Sequence, residues 1–228
     1  MGNCICVEDR EMGTEQPKAV TVNVTGFKKF EGVAENPTET IVNNLMSFIQ
    51  SKGLLPAGVT LGSCTVLETA GDGALPVLYK VLESGNSGVD TKNEHVVWLH
   101  LGVDGGARKF ALEKQAVNEA TFFCPDELGW QPMRQPIVAE DGGTSRKRET
   151  TCSVEAVLKF LKNKGYDAAI SEDAGLFVCN YVYYHSLRFA EQKGHKSLFV
   201  HVPRFSTINE ETQMQFVATL LEAIASTC

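Results

Sequence analysis

No apolar run in this chain is long enough to span a bilayer, and no secretory leader precedes the first strand-like segment. We therefore expect a cytoplasmic protein whose thiols stay free in a reducing compartment. Positive charge is scarce: 21 Lys and Arg stand against 28 Asp and Glu, a formal net charge of −7. Nucleic-acid binding needs clustered cations to neutralise phosphates, so that class of partner is excluded. The only dense basic run, Arg146-Lys147-Arg148, sits among acidic neighbours within Glu140–Glu149 and reads as a solvated surface loop. Paired CxxC motifs are also absent. The seven cysteines, at 4, 6, 64, 124, 152, 179 and 228, are odd in number and irregular in spacing, so neither a structural zinc site nor another cofactor is expected. Internal repeats and any sign of a second domain are lacking too.

What is present is a chain of 228 residues, 43% hydrophobic and 21% charged, long enough for one sizeable α/β domain and short for two. Residues 1–18 are polar and irregular, a flexible lead-in, and 19–228 read as a single domain. Alternating or continuous apolar β-branched runs predict strands at 19–25, running into Gly26-Phe27, and at 59–67, 95–101, 168–170 and 198–202. Helical spacing follows Asn36-Pro37-Thr38, through Ile41, Val42, Leu45, Phe48 and Ile49. It recurs over 75–82 with Pro76 in the first turn, over 151–165 with a capping pattern and a terminal Gly165, and over 210–226. Strands and helices in alternation imply a three-layer α/β/α sandwich around a largely parallel twisted sheet, with sites at the carboxyl ends of the strands.

Two segments carry chemistry. In Ser171-Glu-Asp-Ala-Gly-Leu-Phe-Val-Cys-Asn180 the helical run begins at Cys179, where unpaired N–H groups and the positive end of the helix dipole favour a thiolate. In Leu198-Phe-Val-His-Val-Pro203 a histidine, His201, closes an apolar strand. A cysteine at a helix start with a histidine nearby is what nucleophilic catalysis by a thiol requires. By local composition alone, such a cysteine is more often core filler than nucleophile, and such a histidine more often a satisfied core residue than a general base. The turn Gly102-Val-Asp-Gly-Gly106 lets backbone approach a ligand, but its spacing fits neither G-x-G-x-x-G nor a Walker loop.

Four motifs in order resemble the pyroglutamyl peptidase I family of cysteine peptidases. They are Val24-Thr-Gly-Phe-Lys-Lys-Phe30 with Asn36-Pro37; Gly102–Gly106 with Leu112-Glu-Lys114 and Asn118; Ala174–Asn180; and Phe199-Val-His-Val-Pro203. Pro125-Asp126 and Gly129-Trp-Gln-Pro132 match a further signature, and the likeness spans about residues 20–205. The resemblance implies hydrolysis of an N-terminal pyroglutamyl residue from peptides through a triad of Cys179, His201 and Glu113. It also implies a substrate pocket from Phe27, Phe30, Phe177 and Val178, with Asn36 as a further candidate or simply a helix cap. A backbone carbonyl at Val103 is assigned to the lactam N–H. Many bacterial members carry Arg directly after the double glycine, where Ala107 stands here; Arg108, one place on, is the available substitute. They also carry Arg-Ile-Pro-Asp where this chain has Phe123-Cys-Pro-Asp126, and no basic residue replaces that Arg.

Two other readings stay open from sequence. A different thiol amidase would keep Cys179 and His201 but take another acyl group. A catalytically silent, membrane-tethered interaction protein is motivated by Met1-Gly-Asn-Cys-Ile-Cys6, since Gly2 fits myristoylation and Cys4 or Cys6 palmitoylation, although Cys6 stands where Ser or Thr is usual.

Overall fold

A computed structural model of the protein describes residues 19–84 and 94–227; the lead-in and its acylation candidates Gly2, Cys4 and Cys6 lie outside them. A six-stranded sheet in the order β2-β1-β3-β8-β4-β7 forms the middle layer. Its strands are β1 (Ala19–Phe27), β2 (Val59–Leu67), β3 (Glu94–Val103), β4 (Phe110–Glu113), β7 (Ala168–Ser171) and β8 (Lys196–Val202). Neighbours pair in parallel except β4 with β8, which run antiparallel. A separate short ribbon pairs β5 (Gln115–Val117) with β6 (Lys147–Glu149).

The helices are α1 (Pro37–Lys52), α2 (Gly71–Ser84), α3 (Val154–Asn163), α4 (Val178–Lys193) and α5 (Glu210–Thr227). The twofold alternation of the strands sorts them into two layers. Val97, Leu99 and Leu101 of β3 and Leu198, Val200 and Val202 of β8 pack with α1, α3 and α5. The intervening Val96, Trp98 and Phe199 face α2 and α4. The three-layer α/β/α sandwich is as expected.

Three local expectations are corrected. Helix α2 begins at Gly71, so Pro76 lies inside it and not in its first turn. The start is set by a tertiary contact, since Asp126 Oδ2 accepts the Gly71 N–H at 2.9 Å. Ser153 precedes α3 without a side-chain cap bond; Thr150 Oγ1 instead accepts the Cys152 N–H at 3.0 Å. The basic run is not simply a solvated loop. Arg148 is nearly buried, paired with Asp141 at 2.6 Å and also with Glu191, and Tyr184 of α4 donates to Asp141 at 2.8 Å. Strands β4, β5 and β6 carry too few residues to show a period, and the sequence reading passes over them.

Candidate active site

The turn leading to α4 is shaped by two residues. Asp173 Oδ1 accepts the Gly175 N–H at 2.9 Å, and Gly175 takes φ +77, a conformation that penalises any Cβ. The chain then enters α4 through extended Phe177, which has no side chain able to cap the helix. Cys179 is thus the second helical residue, half-buried among the first, unpaired N–H groups.

His201 arrives from the carboxyl end of β8 and Glu113 from that of β4. Because these strands are antiparallel neighbours, Ala111 pairs with His201 and Glu113 with Phe199. That register brings Glu113 Oε1 to 2.7 Å from His201 Nδ1. Glu113 is 1% exposed, and its Oε2 has no hydrogen-bond partner. Cys179 also acts on the His201 ring. Burial alone would lower the imidazole's affinity for a proton. The hydrogen bonds and charges of Cys179 and then Glu113 outweigh it and push the pKa up to about 10. The β4–β8 register and the start of α4 thus bring a carboxyl, an imidazole and a thiol to one site.

Gly102 makes room for this pair. A Cβ there would stand 2.6 Å from Phe199 Cζ and 3.0 Å from Cys179 Sγ.

One cavity of about 550 Å³ gathers the triad and pocket candidates named from the sequence. Glu113, Cys179 and His201 share its wall with Phe27, Phe30, Asn36, Val103, Phe177 and Val178. Phe27 is also a core aromatic, 2% exposed, whereas Phe30 is half-exposed. Asn36 does two jobs: its Oδ1 caps α1 by accepting the Thr38 N–H at 3.0 Å, and its Nδ2 donates to the Lys28 carbonyl at 2.9 Å. Arg108 is exposed and does not line the cavity, contrary to its suggested role as a substitute cation. Arg204 does, donating to the Gly32 carbonyl at 3.1 Å. Nothing in local sequence marks Arg204, which lies three residues past His201.

A family model described as pyroglutamyl peptidase matches residues 20–221. The chain belongs to the pyroglutamyl peptidase family. It is therefore an enzyme, a cysteine peptidase. It is 34% identical to the pyrrolidone-carboxylate peptidase of Enterococcus faecalis, covering 89% of this chain and 87% of that one. Against the protein of the same name from Klebsiella pneumoniae identity is 33%, over 80% and 77%. Among solved structures, the pyrrolidone carboxyl peptidase of Thermococcus litoralis superposes with a TM-score of 0.77 at 25% identity, over 90% and 93% of the two chains.

In this peptidase the elements around the cysteine are held by polar contacts that local sequence did not reveal. Asn180, fully buried beside Cys179, accepts the Val117 N–H at 2.9 Å and donates to the carbonyls of Val117 at 2.8 Å and Glu119 at 3.0 Å. Tyr183 of α4 donates to the Glu113 carbonyl at 2.8 Å, so the helix that carries Cys179 also holds the strand that carries Glu113.

Proposed function

We propose that this peptidase removes an N-terminal pyroglutamyl residue by acyl transfer to Cys179, with His201 as acid and base and Glu113 as its orienting carboxylate. The observation that carries the reading is the Glu113–His201 contact of 2.7 Å on the wall of a cavity that also holds Cys179 and the aromatic side chains of Phe27, Phe30 and Phe177. The Cys179 thiolate attacks the pyroglutamyl carbonyl. The oxyanion faces the uncapped first-turn N–H groups of α4, a class of contact worth about 3–4 kcal/mol. Collapse breaks the C–N bond, and His201 gives its proton to the departing amine. Water then attacks the thioester while His201 takes its proton, and pyroglutamate leaves with the thiol restored.

Selectivity follows from solvation. The pyroglutamyl lactam is neutral, whereas an ordinary peptide N-terminus is a cation. Seating an ammonium against Phe27, Phe30, Phe177 and Val178 carries a desolvation cost that the lactam avoids. The Val103 carbonyl takes the lactam N–H, and Asn36 lines the same pocket.

Residues 19–228 act as one catalytic unit. Among the described residues Cys64, Cys124, Cys152 and Cys179 are not joined in disulfides, which supports a reducing, cytoplasmic setting. No helix among the described residues is long and apolar enough to cross a membrane. Attachment to the cytoplasmic face through acylated Gly2, Cys4 or Cys6 is the alternative placement. An intact mass without acyl adducts, measured on protein from its native cell, removes it.

The decisive assay is release of a fluorescent amine from pyroglutamyl, prolyl and alanyl amides by the wild type and Cys179→Ala. Selective cleavage of the first, abolished in a folded variant, is expected. Preference for another amide would assign a different acyl group, and retained activity in the variant would place the nucleophile elsewhere.

A further inference from the structure

Beneath the cavity, four polar side chains form a hydrogen-bonded chain through layers that are otherwise apolar. Thr25 of β1, His100 of β3, Ser186 of α4 and Ser197 of β8 are all fully buried. His100 Nδ1 lies 2.7 Å from Thr25 Oγ1, and its Nε2 lies 2.7 Å from Ser186 Oγ. Ser186 Oγ lies in turn 2.9 Å from Ser197 Oγ. A neutral imidazole suits this place, since one ring nitrogen donates while the other accepts. Burial keeps it neutral by lowering its pKa to about 3, so the bonds do not change across the working pH range.

The chain touches four of the elements that furnish the site, though not β4. Thr25 stands two residues before Phe27, and His100 three before Val103. Ser186 follows Cys179 by two turns of the same helix, and Ser197 precedes His201 by four residues on the same strand. The Phe199 ring stacks on His100 with centroids 6.2 Å apart and lies 4.9 Å from the His201 ring. Apolar packing alone holds a helix on a sheet with little preference for small shifts, because it is non-directional. Hydrogen bonds of 2.7 Å resist such shifts, and a buried partner left unpaired costs about 1–3 kcal/mol.

We propose that His100 is a positioning residue: through Ser186 and Ser197 it sets where α4 sits along β8, and so the separation of the Cys179 thiol from the His201 imidazole. The proposal rests on Cys179 and His201 being the reacting pair, and it does not depend on which acyl group they take.

The test uses two shape-related variants of the full chain. In His100→Gln the side-chain amide reaches the Nε2 position and keeps the bond to Ser186. In His100→Asn it reaches only the Nδ1 position and keeps Thr25. We expect His100→Gln to hold kcat within about 3-fold and His100→Asn to lose about 10- to 100-fold with KM little changed, as a displacement below 1 Å predicts. Alkylation of Cys179 by iodoacetamide at pH 7 should slow in parallel in His100→Asn, and Ser186→Ala should reproduce that loss. Unchanged kcat and alkylation in His100→Asn and Ser186→Ala, measured where circular dichroism shows them folded, would overturn the proposal even if both melt earlier. A wild type that labels Cys179 no faster than Cys124 would overturn it as well. If the wild type cleaves no pyroglutamyl amide while Cys179 labels fast and His100→Asn slows it, the substrate reading fails and the positioning role stands.

Discussion

Glu113 concentrates the energetics of the site in one residue. Its carboxylate is buried with a single hydrogen-bond partner, the His201 ring, and its second oxygen has none. A buried charge so sparsely paired is costly on its own account and is balanced by a protonated imidazole. Glu113→Gln keeps the shape and removes the charge. One of the interactions that raise the His201 pKa, after those of Cys179, weakens, and the imidazolium is lost at lower pH. We expect kcat/KM to fall by about 10²- to 10⁴-fold and the alkaline limb of the pH–rate profile to move toward neutrality. An unmoved alkaline limb would remove Glu113 from the proposed triad. Gly102 is the second sensitive residue, because both neighbours of its missing Cβ, the Phe199 ring and Cys179 Sγ, are fixed by packing. In Gly102→Ala we expect kcat to drop at least about 10-fold from displacement of the thiol, with far-ultraviolet circular dichroism unchanged.

The elements divide their labour. The amino end of α4 carries the proposed nucleophile, whereas its middle holds the β5–β6 ribbon through Tyr184, Arg188 and Asp141. Burial alone would raise the Asp141 pKa. Hydrogen bonds from Arg148 and Tyr184, with the charges of Arg148 and Arg188, hold it below the usual carboxylate range instead. Its contribution to stability is present above the unfolded carboxylate range and is lost as pH falls through the folded value. Removing one partner of such a nearly buried pair leaves the other uncompensated. We therefore expect Asp141→Ala to cost about 3 kcal/mol in urea unfolding at pH 7. It should leave kcat at 25 °C close to wild type, since the cluster lies away from the cavity. A loss of kcat without a loss of stability would mean that the ribbon shapes the site directly.

For the whole molecule, the histidines shape the pH dependence of stability with opposite signs. Burial lowers the pKa of His100 to about 3 and that of His185 to about 4, from an ordinary 6.5. The unfolded chain therefore binds these protons first. Their contribution is present above pH 6.5 and is lost as pH falls toward 4 and then 3. His201 is raised, so its contribution is present below 6.5 and is lost as pH rises through about 10. We expect unfolding free energy to peak near neutrality. Between pH 7 and 4, His100 alone accounts for about 3 kcal/mol of loss, reduced measurably in a folded His100→Gln chain. A flat profile between pH 4 and 7 would contradict the burial of these rings.

Much of this was legible in the linear chain, and the boundary has a physical origin. Periodicity and β-branching placed β2 at its observed limits and α1 behind its Asn36 cap, because strand and helix periods and capping act over a few residues. The cysteine at a helix start and the histidine at a strand end were visible for the same reason. Nothing within Leu112-Glu-Lys114 marks Glu113 as buried. Its burial depends on β4 running antiparallel beside β8, a pairing across 88 residues that no local pattern encodes. Arg148 and His100 share that history, one in an ion cluster spanning three segments and the other in a chain joining four elements. The thiol and the imidazole, and the helix and strand that carry them, were determined by sequence. That Glu113 faces the imidazole at 2.7 Å was decided by strand order and register, since contact between distant segments is a property of the packed sheet.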